Sequence, residues 1–475
     1  PLAQMLESTY ADPYDIQKKL YGIENYIKNA NLDRQNLLET EAKLVEEDKL
    51  SALAEEITAQ TETQEDEVGE ITGAAADIDE LEIIQKPELT PDILLEDFKP
   101  QSPIVDSMRT ALFDNPEIDK SIWNELSIWN RSFAKRIKTS SVAIVPERDE
   151  YKFRYILQKD KNAPLIILYP SIGEGYNTHH STVFAKMFFD EGYSIVMLGS
   201  HFHWEFVRSM PEGYCPGIPS QDADNIKLVT HKILDKLENK YECKFDEKII
   251  IGTSFGALSS LFVAEKESKN NTLGITKYIA ISPPVELVYA VEQLDKNSDE
   301  LDNNSPEVKH KTAVTAAKIL QITKMKENNP DMNISALPFT EQEGKLITTF
   351  LLRQKLSDLI FTIENIAKGQ KTDIYEAINN MSYRDYVEKY LLNGSSLENM
   401  RYETSLYSLA DYLVNNDNYR IYHSPDDFFA TEGQIKRLKT LAGKHLVCVS
   451  NGSHLGFLYR KEFQEALKAD VLGKI

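Results

Sequence analysis

The chain has 475 residues, more than a single hydrophobic core usually contains, so we expect one large domain with substantial additions. Its 53 basic and 75 acidic residues give a formal net charge of −22, which opposes long-range attraction to nucleic acid or to an anionic membrane surface. The three cysteines form no Cys-x-x-Cys pair, so neither a zinc site nor a disulfide framework is indicated. Cys215 and Cys243 would pair only in an oxidising compartment, and free thiols are the simpler reading.

No apolar stretch approaches the ~20 uncharged residues that a membrane helix needs. The best candidate, residues 346–363, is interrupted by Arg353, Lys355 and Asp358. We therefore predict a soluble protein without a membrane span. The sequence begins at Pro1 without a signal peptide, which fits loss of an initiator methionine, cleavage of a leader or a trimmed chain. The compartment, cytoplasmic or exported, is left open.

The first 90 residues are predicted to be an acidic helical extension followed by a flexible linker. Residues 1–57 have helical patterning with a thin apolar stripe, which fits a peripheral helix pair or a surface for a protein partner. From residue 58 to about 91 the composition is polar, acidic and low in hydrophobicity, which is typical of a linker. Residues 91–140 are predicted to be a helical lead-in packed on the core, in which 121–130 contain Ser-Ile-Trp-Asn twice.

Alternating strand and helix patterns then predict the first part of an α/β core at residues 141–284. The predicted strands are 141–146, 151–157, 165–169, 193–198, 248–251 and 277–281, and the predicted helices are 178–191 and 221–241. The first two strands are expected to form an antiparallel hairpin. The remaining pattern predicts a mostly parallel, twisted sheet with helices on both faces.

The stretch from Lys248 to Leu261 predicts a sharp strand-to-helix turn centred on Ser254. Three isoleucines form a buried strand, and Gly252-Thr253-Ser254-Phe255-Gly256 follows it. Only residues without a Cβ relieve the crowding two positions before and after a serine held on such a turn. We expect the turn to present the hydroxyl at the tip of the sheet. The bare pattern is weak, because a Gly/Ser turn occurs in other α/β proteins, so its context has to decide.

Backbone amides near this turn are candidate oxyanion donors. The amide of Phe255 begins the helix and is expected to point to where an oxyanion would form. A glycine-bearing loop, Pro170 to Gly175, follows the strand 165–169. A second donor is expected there, from Ser171 or Ile172.

Two histidines lie in the next loop, at His201 and His203. Their spacing of two would suit a metal, but no further ligand stands at a suitable spacing, so pocket lining or surface exposure is favoured. We predict no metal and no cofactor.

Residues 285–417 are predicted to be a helical cap inserted between two strands. Helical patterns are present at 313–325, 345–367, 373–392 and 397–414. Because ligands bind at the carboxyl edge of such sheets, the cap is expected to cover the site and to set substrate choice. The core resumes at 418–475 with predicted strands 419–423 and 445–449 and predicted helices 431–441 and 461–472.

An imidazole and a carboxylate are expected to complete the chemistry of Ser254. A serine hydroxyl needs an imidazole to take its proton, and the imidazole needs a buried carboxylate to fix its tautomer. Of the nine histidines, only His454 follows the last predicted strand in a glycine-rich loop. The acid is Asp427 or Asp426, which follow the strand before it. We favour Asp427, since Phe428-Phe429 would bury it, and Asp426 would then cap the turn.

These three motifs resemble those of the α/β-hydrolase superfamily. Ser424-Pro425-Asp426-Asp427-Phe428 and Gly452-Ser453-His454-Leu455-Gly456-Phe457 are similar to the acid and histidine loops of its esterase branch, although Phe428 stands where proline is usual. The loop after Tyr169 lacks the His-Gly-Gly of many members. The resemblance covers roughly residues 141–284 and 418–475. It implies Ser254 as nucleophile, Asp427 as acid, His454 as base and Phe255 as an oxyanion donor.

The leading expectation is a serine hydrolase that forms an acyl-enzyme from a small-molecule carboxylic ester, a lipid among them, or from a thioester or amide, with a mostly apolar acyl pocket beneath the cap. A peptidase would share the same machinery. The alternative from another class is a catalytically silent hydrolase-fold protein that binds partners through its N-terminal helices and cap. The complete set of three side chains argues against this alternative.

Overall fold

The computed structural model describes residues 89–115, 118, 133–299, 336–365, 380–392 and 394–473, with a few positions in 308–319 and 374–378. The predicted extension and linker, with the partner surface at 1–57, therefore lie outside the described residues. The same holds for the repeat at 121–130 and for most of the predicted helix 313–325.

Eight strands form one sheet: β1 (Lys138–Val142), β2 (Tyr151–Ile156), β3 (Leu165–Tyr169), β4 (Ser194–Met197), β5 (Lys248–Thr253), β6 (Lys277–Ile281), β7 (Tyr419–His423) and β8 (Leu446–Cys448). Their order across the sheet is β1-β2-β4-β3-β5-β6-β7-β8. β2 is antiparallel to β1 and to β4, and every other neighbouring pair is parallel. The carboxyl ends of the parallel strands therefore share one edge of the sheet.

The described helices are α1 (Pro103–Ser107), α2 (Phe133–Arg136), α3 (His179–Asp190), α4 (Trp204–Ser209), α5 (Pro219–Tyr241), α6 (Phe255–Lys269), α7 (Leu287–Asp299), α8 (Glu341–Ile363), α9 (Tyr383–Tyr386), α10 (Leu397–Glu403), α11 (Ala410–Asn415), α12 (Glu432–Ala442) and α13 (Lys461–Val471). A π-helical turn, Val387–Leu391, continues α9. Short 3₁₀ turns lie at Met108–Leu112, Leu406–Leu409 and Gly443–His445. None of the described helices is both long and apolar enough to cross a bilayer.

The central strands are apolar on both faces because helices cover both sides of the sheet. Successive side chains of a strand point to opposite faces, so Ile250 packs into one apolar cluster while Ile249 and Ile251 pack into another. The predicted fold class, a mostly parallel α/β sheet, is confirmed. All three cysteines are free.

The segment before β1 lies against the end of β8 and the loop that follows it. Ile93 forms a parallel bridge with Val449, and its carbonyl oxygen accepts a hydrogen bond of 2.9 Å from the Ser450 amide. A buried ion pair of 2.8 Å joins Arg109 to Asp106. The backbone carbonyl of Asp106 lies so close to Gly456 that a side chain there would overlap it.

Several element boundaries differ from the sequence-based predictions. β1 begins at Lys138 and ends at Val142, rather than spanning 141–146. The helix predicted at 397–414 is broken into α10, a 3₁₀ turn and α11. At the break, the Thr404 hydroxyl donates to the Met400 carbonyl, and Ser405 forms an antiparallel bridge with Glu286. Apolar periodicity continues through such a break and cannot locate it.

Candidate active site

Ser254 lies on the turn between β5 and α6. Its backbone has φ 52° and ψ −121°, a conformation that a residue with a side chain rarely adopts and that is held by its surroundings. The Ser254 amide donates to the Ile281 carbonyl at 2.8 Å, and the Ser254 carbonyl accepts from the Ala257 amide at 2.9 Å. The strained turn is therefore fixed on both sides.

The two flanking glycines have no room for a side chain. A Cβ at Gly252 would lie 2.5 Å from the Gly256 carbonyl oxygen, and a Cβ at Gly256 would overlap the carbonyl oxygens of Tyr169 and Pro170. The end of β3 is thus pressed directly against the serine turn. This contact brings the loop after β3 next to Ser254, where an oxyanion donor is predicted.

Replacing Gly256 by alanine is expected to destabilise the protein by more than about 3 kcal/mol, because both overlapping groups are rigid backbone. Urea unfolding followed by circular dichroism measures the change. The matched control is Gly433→Ala in α12, where a Cβ would meet nothing closer than 3.9 Å. We expect this substitution to raise stability slightly, because alanine favours helices more than glycine does. Equal stabilities for the two variants would contradict the close approach.

His454 connects the serine to a carboxylate. Its Nε2 lies 2.8 Å from the Ser254 Oγ, and its Nδ1 lies 2.9 Å from Oδ2 of Asp427. A carboxylate only accepts, so Nδ1 carries the proton of the neutral ring and Nε2 is left to accept from the serine hydroxyl. The edge of the ring meets Phe429 at a centroid distance of 4.6 Å. All three polar groups are buried.

The surroundings of Asp427 keep it ionised. Burial would raise the pKa of its carboxyl, but His454, His423 and the Phe429 amide outweigh burial and hold the pKa below its ordinary value. Nothing in the sequence pattern indicates a role for His423. Its Nδ1 lies 3.9 Å from the Asp427 carboxylate, while Nε2 faces the Pro283 carbonyl oxygen at 3.1 Å.

Asp426 makes a different set of contacts. One oxygen accepts from the Ser424 hydroxyl and from the Ser453 amide at 2.9 Å, and the other accepts from the Gly452 amide at 3.3 Å. Burial raises the pKa of Asp426 despite these donors. Asp426 therefore joins the acid loop to the backbone of the histidine loop, and only Asp427 reaches the imidazole.

The predicted oxyanion donors belong to the residue after Ser254 and to the loop after β3. Phe255 is the first residue of α6, where amides have no acceptor within the helix. The Ser171 hydroxyl lies 3.1 Å from that of Thr253, which joins the loop after β3 to the residue before Ser254. Ile172 follows in the same loop. That the amides of these residues donate hydrogen bonds to an oxyanion remains a prediction.

His201 and His203, for which pocket lining or surface exposure is favoured over a metal site, are both buried, so the expectation of surface exposure is wrong. His201 is buried, with its Nδ1 2.7 Å from the Tyr169 hydroxyl and its ring stacked on Phe255 at 4.6 Å. His203 instead caps α4, where its Nδ1 accepts from the Glu205 amide. Within the described part of the chain, no cluster of three His, Cys, Asp or Glu side chains is arranged to hold a metal.

The strand order and the position of the serine define the architecture. The sheet is mostly parallel, with an antiparallel second strand. The turn that carries Ser254 follows the fifth strand, the loop that carries Asp427 follows the seventh, and the loop that carries His454 follows the eighth. The chain has the α/β-hydrolase fold.

Comparisons with known proteins give low sequence similarity. No protein-family model matches the chain, and no curated protein matches it. Among solved structures, an esterase from Pyrococcus furiosus aligns at 11% identity over 71% of this chain and 92% of its own, with a TM-score of 0.39. A serine hydrolase from Cycloclasticus zankles aligns at 14% identity over 71% and 99%, with a TM-score of 0.38. A naproxen esterase from Bacillus subtilis aligns at 11% over 71% and 91%, with a TM-score of 0.35.

An apolar pocket opens beside the serine turn of this α/β-hydrolase fold. The pocket is narrow: the space in which the centre of a water-sized molecule fits is about 30 Å³, and the larger gap of about 560 Å³ between its walls includes open solvent. Four lining residues belong to the part of the chain before β6: Ile172, Phe202, Gly217 and Phe255. The others belong to the insertion between β6 and β7, and they include Val288 and Val291 from α7 and Leu397 and Met400 from α10.

Proposed function

We propose that this protein is a serine hydrolase that cleaves a carboxylic ester with an apolar acyl group through an acyl-enzyme intermediate. The observation that carries the proposal is the hydrogen-bonded series Ser254, His454 and Asp427, with heavy-atom distances of 2.8 and 2.9 Å. These are the distances at which a general base takes the proton of a nucleophile.

In the proposed mechanism, the Ser254 Oγ attacks the carbonyl carbon while His454 Nε2 takes its proton. Asp427 stabilises the imidazolium that forms, and the amides of Phe255 and of Ile172 or Ser171 stabilise the oxyanion. His454 then protonates the departing alcohol. A water molecule, deprotonated by the same imidazole, hydrolyses the acyl-enzyme.

The apolar pocket supports an ester as substrate and an apolar chain as its acyl part. Phe255 is both the first residue after the nucleophile and part of the pocket wall, so an acyl group bound to Ser254 would extend into it. We propose that the helices at 285–417 act as a cap that sets the length of this pocket. Each methylene buried there should add about 0.8 kcal/mol to binding.

The test is a panel of p-nitrophenyl esters of graded acyl length on the purified full chain. We expect kcat/KM to rise about fourfold with each added methylene until the pocket is full, and to fall beyond that length. Absence of turnover on every ester, together with a stable protein partner captured by the full chain, would favour the silent binding protein instead.

Replacing Val288 by phenylalanine is expected to shorten the preferred acyl chain, because the larger ring would occupy the pocket. We expect kcat/KM for the longest ester that wild type accepts well to fall by about tenfold or more, with the shortest ester little affected. The same ester panel measures both. Val414→Phe is the matched control, since Val414 is 61% exposed and lies outside the pocket wall. An unchanged preference in Val288→Phe would contradict the assignment of this pocket.

A further inference from the structure

The apolar pocket beside the serine turn is too narrow for a long acyl chain. The space in it that admits the centre of a water-sized molecule is about 30 Å³. One water molecule needs about 10–15 Å³ of such space, and a methylene group is about as large as a water molecule. An acyl group of about two to four carbons, with its carbonyl carbon at Ser254, therefore fills the pocket.

Leu391 and Gly217 close one side of the pocket. Both residues line it, one from the insertion and the other from the loop before α5. A Cβ on Gly217 would lie 2.6 Å from Cδ1 of Leu391, so the leucine methyl group packs directly on the glycine backbone. Gly217 has φ +134°, a conformation that favours glycine, and the Leu391 side chain is buried. An acyl chain cannot pass between the two residues unless the leucine side chain moves.

Gly217 is held in place by its surroundings. Its amide donates to Oδ2 of Asp222 at 2.8 Å, and Oδ1 of the same carboxylate accepts from the Tyr214 hydroxyl at 2.6 Å. The residue before the glycine, Pro216, accepts a hydrogen bond of 2.7 Å from the Tyr386 hydroxyl through its carbonyl oxygen. The width of the pocket at this point therefore depends on the side chain that faces the glycine.

Leu391 belongs to the π-helical turn that continues α9. The Leu392 amide donates to the Val387 carbonyl at 3.1 Å, one residue further back than the acceptor in an α-helix. Such turns are rare, and they occur frequently at functional sites. Val387 lines the pocket as well, so the turn forms part of the pocket wall. The irregular turn and the closed side of the pocket therefore coincide.

We propose that Leu391 is a specificity-determining residue that limits the length of the acyl group, and that the protein cleaves esters of short carboxylic acids, with about two to four carbons in the acyl group. The leucine methyl group occupies the space into which a longer chain would extend. The insertion then selects substrates at the π-helical turn, through one side chain that packs on a fixed glycine. This inference rests on the proposed hydrolase function.

The first test is Leu391→Ala, measured on p-nitrophenyl esters from acetate to dodecanoate. Wild type should have its highest kcat/KM between acetate and butyrate, with a steep fall for longer esters. The substitution removes about three carbons of side chain, so the preferred acyl group should lengthen by about three carbons. For an ester that much longer than the wild-type optimum, kcat/KM should rise by about tenfold or more, while kcat/KM for acetate stays within about threefold of wild type.

Leu413→Ala is the matched control. Leu413 belongs to the same insertion, is 1% exposed in α11 and does not line the pocket. Both substitutions remove the same atoms from a buried site, so they should loosen the packing to a similar degree. Only Leu391→Ala should accept longer esters. An unchanged acyl preference in folded Leu391→Ala, or the same lengthening in both variants, would overturn the proposal.

Leu391→Val serves if Leu391→Ala does not fold. It removes about one carbon of side chain, so the preferred acyl group should lengthen by about one carbon. The panel resolves this shift when it contains every acyl length between acetate and octanoate, and circular dichroism establishes that the variant is folded. A folded Leu391→Val variant with the wild-type preference would also overturn the proposal.

Wild type is measured first, because its result separates the two proposals. Turnover with a preference for octanoate or longer esters overturns this inference and leaves the proposed function standing. Absence of turnover on every ester, together with absence of Ser254 labelling by a fluorophosphonate, overturns the proposed function and this inference with it.

Discussion

Ser254→Ala is expected to lower kcat for a p-nitrophenyl ester by on the order of 10⁶-fold, to the level set by binding and oxyanion stabilisation without a nucleophile. The hydroxyl removed is the one that donates to His454 Nε2 at 2.8 Å, and no other group is bonded to that nitrogen in the described structure. The same variant should not react with a fluorophosphonate probe. Intact mass spectrometry measures this directly, since wild type should gain one probe per chain.

The control for this experiment is Ser259→Ala on the same helix. The Ser259 hydroxyl is buried and donates to the Phe255 carbonyl at 2.9 Å, away from the imidazole. This variant should retain labelling and most of its turnover. Full-rate labelling of Ser254→Ala would refute the nucleophile assignment, whatever the behaviour of the control.

Asp427→Asn is expected to lower kcat by about 10⁴-fold. An asparagine keeps the shape of the side chain but allows the wrong imidazole tautomer and leaves the developing imidazolium without its counter-charge. The measurements are kcat for the best ester of the panel and the urea midpoint of the same preparation. Stability should fall by about 1–3 kcal/mol, because asparagine has one acceptor oxygen and leaves either the Phe429 amide or the His454 Nδ1–H without its acceptor.

Asp426→Asn provides the contrast, because Asp426 is a carboxylate like the adjacent Asp427 but makes different contacts. The amide nitrogen would face the Gly452 or Ser453 amide, so one backbone donor loses its acceptor. We expect a loss of about 1–3 kcal/mol in stability and less than a tenfold loss in kcat. The opposite assignment, with Asp426 as the acid, requires the larger kcat loss in Asp426→Asn.

The serine turn could be predicted from sequence because its requirements are local. Gly252 and Gly256 stand at fixed distances from Ser254, and the close approaches that exclude a Cβ arise within the strand–turn–helix unit and the strand beside it. His454 could be predicted because the order of strands places its loop at the same edge of the sheet. The fold class follows from the same alternation of short apolar strands and helices.

The choice between Asp426 and Asp427 could only be favoured, not decided, from the sequence. Adjacent residues in a turn point differently, and which of them faces the imidazole depends on the backbone amides of Gly452 and Ser453, which lie 26 and 27 residues later in the chain. No pattern in the acid loop reports where those amides will be.

Contacts between distant segments outside the three motifs could not be predicted. By its sequence pattern, Lys355 is a charge that interrupts an apolar helix, yet it contacts the loop after β3. By the same kind of pattern, His423 is a strand residue and His201 is one of a pair with His203. In each case the contact that distinguishes the residue is made with a segment that the fold brings close, and spacing along the chain does not indicate it.

The close approach of the Asp106 carbonyl to Gly456 has a practical consequence for preparing shortened forms of the protein. Residues 92–109 supply one wall behind the loop that carries the imidazole, and Ile93 extends the sheet edge at Val449. A shortened protein that begins immediately before β1 would keep Ser254, Asp427 and His454. It would lack the segment that packs against the loop carrying His454. Boundaries for expression therefore belong upstream of Asp92, whatever the preceding region does.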